Sequence, residues 1–345
     1  MALVAEPSAV PLPARARSGR RIGPGTRYAL NQIAGSLATF LFVIVFNFFL
    51  FRILPGDPIS LYTKGRDVSG ARIRELQAQL HQPIWHQFIS YMRDPFSQTA
   101  ESVKYNSPVW DVIGPRVWPT LLLVGTATIL ATLIGVWLGI RSAWKRGQRF
   151  DKVTTTTTLI FYSMPEFWFG MILLIVFSVG AFGIPGFFPV GGLSTPGVDI
   201  NTPAGWVDVA WHLTLPVTTL TVIYLAEYSL IMRASLIDEM GQDYLKTARA
   251  KGLLDRMVRQ RHAVPNAMLP TTTLIFMNLG FVVGGAITIE DVFSIPGLGS
   301  LTVDAINGPD IPLLQSLFVL FSGAVILANL IANLLYAKLD PRVRT

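Results

Sequence analysis

The chain has 345 residues, of which 51% are hydrophobic and only 14% are charged, and its mean hydropathy is +0.48. Soluble domains carry roughly 25% charged residues, so this composition excludes a disordered chain and argues against an ordinary soluble enzyme. The net charge of +7 could serve nucleic acid or a membrane surface, but the hydropathy favours the basic cytoplasmic loops of a membrane protein.

Six apolar stretches predict transmembrane helices, each of which needs about 20 residues. In chain order they are Leu30–Leu54, Val117–Ile140, Thr155–Phe182, Trp211–Met232, Leu269–Ile289 and Leu313–Tyr336. The fifth is polar at its start and is the weakest of the six. Together they predict an all-α integral membrane protein with six transmembrane helices.

The basic residues orient these spans, because short cytoplasmic loops carry an excess of Lys and Arg. Twenty of the 28 basic residues fall before the first span, between spans two and three, between spans four and five, or after the sixth. The two later segments on the other side, 183–210 and 290–312, contain none. Both termini are therefore expected in the cytoplasm. The predicted divisions are a cytoplasmic tail (1–29), the first span with a large outer loop (30–116), a transmembrane core (117–337) and a cytoplasmic C-terminus (338–345).

The outer loop after the first span, 55–115, is too long to be a mere connector. Apolar residues near helical spacing predict a helix over Ile73–Met92. It could be a lid on the outer mouth or a platform for a binding protein. The Pro55–Pro58 corner indicates a turn in which Asp57 caps locally, and not a catalytic acid.

The fourth span contains Glu227 within its apolar stretch. Carboxylates in a membrane are costly and are functional candidates by default. Glu227 could contact a ligand amine on the transport pathway or pair with a partner subunit. In the sixth span Asn329 and Asn333, four residues apart, share a helix face and could bond across helices.

The cytoplasmic segment between spans four and five predicts an elbow of two helices around a glycine, at 238–262. Gln242–Lys251 has a helical composition, Gly252 is suited to a helix C-terminus, and Leu253–His262 predicts a second short helix. Pro265 and Pro270 are expected to mark the start of span five. The segment is either a solvated connector or a docking surface for a soluble partner.

The sequence lacks the motifs of the common thiol, nucleotide-binding and metal sites. The chain has no cysteine and no Gly-Lys dipeptide, which excludes thiol chemistry and a P-loop, and its four histidines are scattered. We therefore expect no enzyme activity, no metal and no cofactor on this chain, and no nucleic-acid partner.

Four segments resemble the ABC-importer permeases of the dipeptide/oligopeptide/nickel family. Lys246–Ala248, Gly252 and Val264-Pro265 occupy the positions of that family's cytoplasmic "EAA" loop, although the triplet and Val264 depart from its usual residues. Leu54–Pro58, Gln79–Met92 and Glu290–Leu301 resemble its LPGDP corner, its outer amphipathic helix and its loop before the last span.

The resemblance implies a type I ABC importer permease fold in a bacterial inner membrane, with the elbow acting as a coupling helix against an ATPase. The implied coupling residues are Asp243, Tyr244, Thr247, Ala248, Arg249, Lys251 and Gly252. An outer-mouth loop is implied at Ile295, Pro296, Gly297, Leu298 and Gly299.

The partners implied by the resemblance are a second permease, usually a different chain, two ATP-binding subunits that hold ATP and Mg, and an extracytoplasmic binding protein. The expected cargo is di- or oligopeptides, with nickel or an oligosaccharide as alternatives. A proton-coupled secondary transporter using Glu227 is the rival class, although it should show paired ionisable residues and inverted repeats.

Overall fold

The computed structural model describes residues 24–53, 70, 74, 82–93, 101–284 and 287–339, of which 24, 53, 279–284 and 336–339 are described by their backbone alone. The helices are α1 Pro24–Ile53, α2 Ile84–Arg93, α3 Val109–Trp144, α4 Arg149–Tyr162, α5 Glu166–Leu174, α6 Pro203–Met240, α7 Asp243–Ala250, α8 Asp255–Val258, α9 Val264–Gly284, α10 Ile287–Val292, α11 Leu298–Asn307 and α12 Ile311–Leu339. Two π-helical turns, Ile175–Val179 and Arg259–Ala263, follow α5 and α8. Two small antiparallel hairpins pair Glu101–Ser102 with Ser107–Pro108, and Gly180–Ala181 with Ile184–Pro185.

Four helices in the described part of the chain are long and apolar enough to cross a membrane. They are Gly25–Arg52, Val109–Trp144, Pro203–Met240 and Ile311–Leu335. A bent pair of helices makes a fifth candidate if it forms one span. The fifth span of the sequence analysis falls on α9, whose apolar C-terminal side chains lie outside the description. The all-α membrane architecture is confirmed, and the number six stays a prediction.

The third span differs from the continuous stretch predicted at Thr155–Phe182. α4 ends at Tyr162, α5 begins at Glu166, and the two helices are bent by 96°. Pro165 lies in the break, where its missing N–H and its steric effect on the preceding residue disfavour a continuous helix. The apolar pattern runs through this break, which is why hydropathy alone did not reveal it.

The segment leading into the fifth span also differs from prediction. We expected a helix at Leu253–His262 that stops before Pro265, but the helix starts at Asp255 and continues through the π-helical turn into α9. In a regular helix the ring of Pro265 would clash with a carbonyl of the preceding turn. The wider π turn directly before it makes room for the ring, so α8 and α9 form one long rod.

Close packing of α3 on α6 forms the centre of the bundle. A Cβ on Gly135 would lie 2.8 Å from the Leu225 carbonyl oxygen, and one on Gly139 would lie 2.7 Å from Met232 Cβ. Small residues at these two positions let the helix backbones approach, as is common between membrane helices.

A buried ion pair joins the start of α4 to α6. Arg233 donates from Nε to Asp151 Oδ1 at 2.6 Å and from Nη2 to Oδ2 at 3.0 Å. Asp151 is 3% exposed and also accepts from Ser142 Oγ at 2.6 Å and from the Gly147 backbone N–H at 2.8 Å. This carboxylate therefore connects the end of α3, the following loop, α4 and α6 at one point.

Replacing Asp151 with Asn should destabilise the protein strongly, because it leaves the Arg233 guanidinium half-buried without its counter-charge. Breaking a buried pair from one side costs about 3–5 kcal/mol. The measurement is thermal unfolding of the full chain in detergent. The matched control is Asp243→Asn, which removes an aspartate from an exposed ion pair with Lys246 and should leave the unfolding temperature unchanged. Equal effects of the two substitutions would contradict a special role for Asp151.

Candidate functional site

The predicted cytoplasmic elbow is built around Gly252. α7 spans Asp243–Ala250, one residue shorter at each end than expected. The Leu253 N–H donates to the Ala248 carbonyl at 3.3 Å and the Gly252 N–H donates to the Arg249 carbonyl at 2.9 Å, which is the Schellman pattern of a helix end. Gly252 has φ +80°, a conformation that glycine adopts without steric cost. The helix therefore ends where the sequence indicated.

The inner face of α7 packs on the protein itself. Leu245 and Ala248 are buried in a cluster with Met232, Leu236 and Val258. Ala248 was expected to contact a partner, together with the exposed Ala250 and Gly252. Its side chain instead faces α6 and α8, so it positions the elbow.

Tyr244 fastens α7 to the long rod. Its hydroxyl donates to the carboxylate of Glu239, lies 3.1 Å from the His262 carbonyl oxygen and accepts from Asn266 Nδ2 at 2.9 Å. Burial, and then the hydrogen bond to Glu239, raise the pKa of the Tyr244 hydroxyl. Because it stays protonated at physiological pH, this hydroxyl can donate and accept at the same time.

The outer face of α7 is exposed and strongly polar. Its ion pairs join Lys246 to Asp243 at 2.8 Å and Arg249 to Asp255 at 3.5 Å. Six of the seven predicted coupling residues are exposed, and Ala248 is buried. The exposed residues are Tyr244, whose hydroxyl is bonded within the protein, and Asp243, Thr247, Arg249, Lys251 and Gly252. The structure thus separates the seven into a surface set and two residues, Tyr244 and Ala248, that hold the helix in place.

Two carboxylates lie among the membrane helices. Asn278 Nδ2 donates to Glu227 Oε2 at 3.4 Å and to the Tyr228 hydroxyl at 3.0 Å. Glu166, in the break of the third span, accepts from Thr288 Oγ1 at 2.8 Å. The sequence analysis did not single out Glu166, although a carboxylate inside the apolar stretch 155–182 was a visible signal.

Of the two predicted asparagines in the last span, only Asn333 makes a side-chain hydrogen bond to another described residue. Asn333 Nδ2 donates to Gln32 Oε1 on α1 at 3.2 Å, a bond across helices as expected. Asn329 makes no side-chain hydrogen bond to another described residue. The structure adds Asn47, not singled out from the sequence, which donates to the Tyr91 hydroxyl at 3.1 Å and to the Gln315 carbonyl at 3.0 Å.

The predicted outer-mouth loop, 295–299, folds over the side chain of Glu290. Glu290 Oε2 accepts the backbone N–H groups of Gly299 at 2.8 Å and Ser300 at 3.1 Å, and Oε1 accepts from Thr120 Oγ1 at 2.6 Å. A carboxylate at the first N–H groups of a helix is a favourable arrangement. A Cβ on Gly297 would lie 2.3 Å from the Glu290 carboxyl carbon. The loop residues Ile295 and Leu298 are buried, so this segment packs into the protein, and its place at an outer mouth stays a prediction.

Asp310 makes a second buried cap at the start of α12. Its Oδ1 accepts the Leu313 N–H at 3.2 Å, as an N-cap side chain does. Its Oδ2 accepts from the Ser102 hydroxyl and, at 3.0 Å, from the Lys104 backbone N–H. Asp310 therefore joins the first outer hairpin to the last span. The predicted corner at Asp57 lies outside the described residues, as do residues 73 and 75–81 of the predicted helix Ile73–Met92. The rest of that prediction agrees with α2 from Ile84 onward.

Comparison with known proteins places this architecture in a family. The family model described as "binding-protein-dependent transport system inner membrane component" matches residues 131–345. That stretch is more than half of the chain and contains both the elbow and the Glu290 loop. The chain belongs to this family. As a binding-protein-dependent inner membrane component, it is an ABC importer permease, and the resemblance stated from the sequence is confirmed.

Similar members of the binding-protein-dependent family cover nearly the whole chain. The dipeptide transport system permease protein DppB of Escherichia coli strain K12 is 34% identical over 338 residues, which cover 92% of this chain and 98% of that protein. The glutathione transport system permease protein GsiC of Escherichia coli strain CFT073 is 35% identical over 322 residues, with the same coverage. The oligopeptide transport system permease protein AppB of Bacillus subtilis strain 168 is 32% identical over 319 residues, again with 92% and 98% covered.

In this permease, replacing Gly299 with Ala should disturb the outer loop. The added Cβ would lie 2.6 Å from the Ile287 Cα, a backbone atom, and 3.0 Å from Glu290 Oε2. We expect a loss of about 1–3 kcal/mol of stability, as for other overpacked sites. Thermal unfolding in detergent measures it. Gly114→Ala is the control, since a Cβ on this exposed helical glycine meets nothing within 4 Å. An unchanged Gly299→Ala protein would contradict the packing described.

Glu290 should make the stability of the permease depend on pH. Burial raises the pKa of this carboxyl above its ordinary value of 4.5, against its hydrogen bonds from Thr120, Ser300 and Gly299. Because the folded pKa is the higher one, its contribution to stability is complete below about pH 4.5 and is lost as the pH rises through the raised pKa. As the pH rises through the raised pKa, the unfolding temperature of the wild-type protein should therefore fall relative to that of Glu290→Gln. A difference that is constant with pH would contradict the raised pKa.

Proposed function

We propose that this permease forms the membrane pathway of an ATP-driven importer for di- and oligopeptides. The observation that carries the proposal is the elbow, in which the buried Leu245 and Ala248 and the bonded Tyr244 fix α7 while its polar face stays exposed. A helix that is immobilised on one side and exposed on the other can receive force from a soluble partner and pass it to the spans.

The peptide cargo is inferred from the relatives. The permeases described above are named for dipeptide, glutathione and oligopeptide transport, and each of these compounds is a peptide. Nickel or an oligosaccharide would require a departure from all three. The binding protein that delivers the cargo would set the finer selectivity.

The proposed complex contains this chain, a second and different permease, two ATP-binding subunits and an extracytoplasmic binding protein. ATP and Mg would be held by the ATP-binding subunits, and this chain would itself be non-catalytic. The basic loops support cytoplasmic termini and a cytoplasmic elbow. Asp243, Thr247, Arg249, Lys251 and Gly252 would contact an ATPase, whereas Tyr244 and Ala248 would hold the elbow in position.

The polar residues among the spans complete the proposal. Glu227 is partly exposed and has a weak 3.4 Å contact with Asn278, so its carboxylate remains available to a cationic group. The α-ammonium group of a peptide or a residue of the second permease would suit it. Transport driven by ATP would continue in a Glu227→Gln protein, whereas a proton-coupled carrier would depend on that acid.

Replacing Ala250 with Arg tests the elbow and the function together. Ala250 is exposed at the end of α7, so a large cation there should leave the fold intact and block docking. We expect ATP-driven uptake of a labelled dipeptide to fall by on the order of tenfold or more, since overpacking an interface costs about 1–3 kcal/mol. The measurement uses proteoliposomes that hold the complete complex, with binding protein and ATP.

Gln148→Arg is the control, because it adds the same charge to the exposed loop before α4 and should leave uptake unchanged. Uptake by Ala250→Arg at the wild-type rate would contradict the proposal that the elbow is the docking surface. Peptide uptake by this chain without ATP or the ATP-binding subunits would overturn the proposed function in favour of a secondary transporter.

A further inference from the structure

A cavity of about 400 Å³ lies between the end of α3 and the π-helical turn that leads from the elbow into α9. Trp137, Ile140, Arg141 and Lys145 line one side, and Arg259 and Val264 line the other. The lining contains three cations and no carboxylate. A cavity with this lining attracts an anion that also carries an apolar part.

The two arginines of this cavity are held in place by aromatic rings. The Arg141 guanidinium lies 5.3 Å from the centre of the Trp137 ring and 5.1 Å from that of Phe150, and Arg259 lies 5.6 Å from that of Trp144. No ion pair with another described residue neutralises Arg141, Lys145 or Arg259. Stacking orients a guanidinium without cancelling its charge, so the donors of these arginines remain available to an anion.

An exposed apolar stripe on α3 leads to the cavity. Ile129, Leu133 and Trp137 are 60%, 66% and 52% exposed, and at a spacing of four residues they share one face with Arg141. The stripe belongs to a helix that is long and apolar enough to cross a membrane. A tryptophan followed by an arginine at the end of such a stripe is typical of the boundary between hydrocarbon and headgroups.

We propose that this cavity binds the phosphate headgroup of an anionic phospholipid of the cytoplasmic leaflet, with its acyl chains along the stripe on α3. The placement rests on the orientation given under the proposed function. A basic cavity between membrane helices on the cytoplasmic side suits such headgroups. The continuous apolar stripe favours a lipid over an acidic protein segment, which would gain nothing from it. Because Arg259 lies in the rod that carries the elbow, the bound lipid contacts both α3 and the coupling segment.

Native mass spectrometry of the complete complex tests the proposal without any variant. The complex is equilibrated with mixed micelles of phosphatidylglycerol and phosphatidylcholine, and the retained lipids are counted. We expect the wild-type complex to retain phosphatidylglycerol in preference to phosphatidylcholine, and an excess of inorganic phosphate not to displace it. Equal retention of the two lipids would overturn the proposal. Displacement by inorganic phosphate would also overturn it, by assigning the cavity to a free anion.

A triple variant locates the site. Each basic residue near a membrane surface contributes about fivefold to the affinity for anionic lipid, so Arg141→Gln, Lys145→Gln and Arg259→Gln together should lower it on the order of 100-fold. Arg146→Gln, Arg149→Gln and Lys152→Gln form the matched control, since these exposed residues of the same cytoplasmic region lie outside the cavity lining. The double variant Arg141→Lys, Arg259→Lys keeps the positive charges of the cavity and should retain the lipid. It provides a second test if the triple variant does not fold.

Three results would decide against the lipid. An equal loss of phosphatidylglycerol from the triple variant and from its control would show a general charge effect. Loss of phosphatidylglycerol from the double lysine variant would show that the charges of the cavity do not bind the lipid. Release of the ATP-binding subunits or the second permease from the triple variant, with phosphatidylglycerol retained, would assign the cavity to a protein contact. ATP-driven uptake is measured alongside, so that a failure of lipid binding with intact uptake overturns this inference alone.

Discussion

The buried pair of Asp151 and Arg233 is the interaction on which the position of the elbow depends. A carboxylate that is 3% exposed is tolerated only when its charge is balanced and its oxygens accept hydrogen bonds. Asp151 obtains these from Ser142, Gly147 and Arg233, which belong to three different segments. The end of α6 is thereby fixed against α3 and α4, and α7, the first helix of the elbow, begins only ten positions after Arg233. The position of the elbow is therefore set by an ion pair that is not part of it.

Buried carboxylates serve the same purpose near the start of α3. Glu290 and Asp310 each accept N–H groups from the first turn of a helix and a hydroxyl from a distant segment. These acids connect segments that are far apart in the sequence. The spans between these layers pack mostly through apolar side chains and close glycines, with a few polar bonds such as those of Asn47 and Asn278. The polar connections thus lie mainly at the two boundaries of the bundle, where segments of different spans meet.

The sequence was sufficient for the features that depend on local pattern and insufficient for those that depend on distant partners. Hydropathy located the long apolar helices, and composition with Gly252 located α7 to within one residue at each end. It could not tell which of the small residues Ala248 and Ala250 faces inward, because that depends on how α7 packs on α6. Glu290 was visible only as part of a motif, since its hydroxyl partner Thr120 lies 170 positions away. Pro165 was visible too, but a proline in an apolar stretch can either kink a helix or end it.

The unbroken path from Asp255 to Gly284 has a mechanical consequence. Thirty residues of continuous helix extend about 45 Å, so the elbow is attached to the near end of a long helical lever. Tyr244 bonds α7 to this lever at His262 and Asn266, within its first turns. A tilt of only about 5° at that end displaces the other end by about 4 Å, more than the width of a water molecule. A small tilt at the elbow thereby becomes a displacement of a few ångströms at the far end of α9.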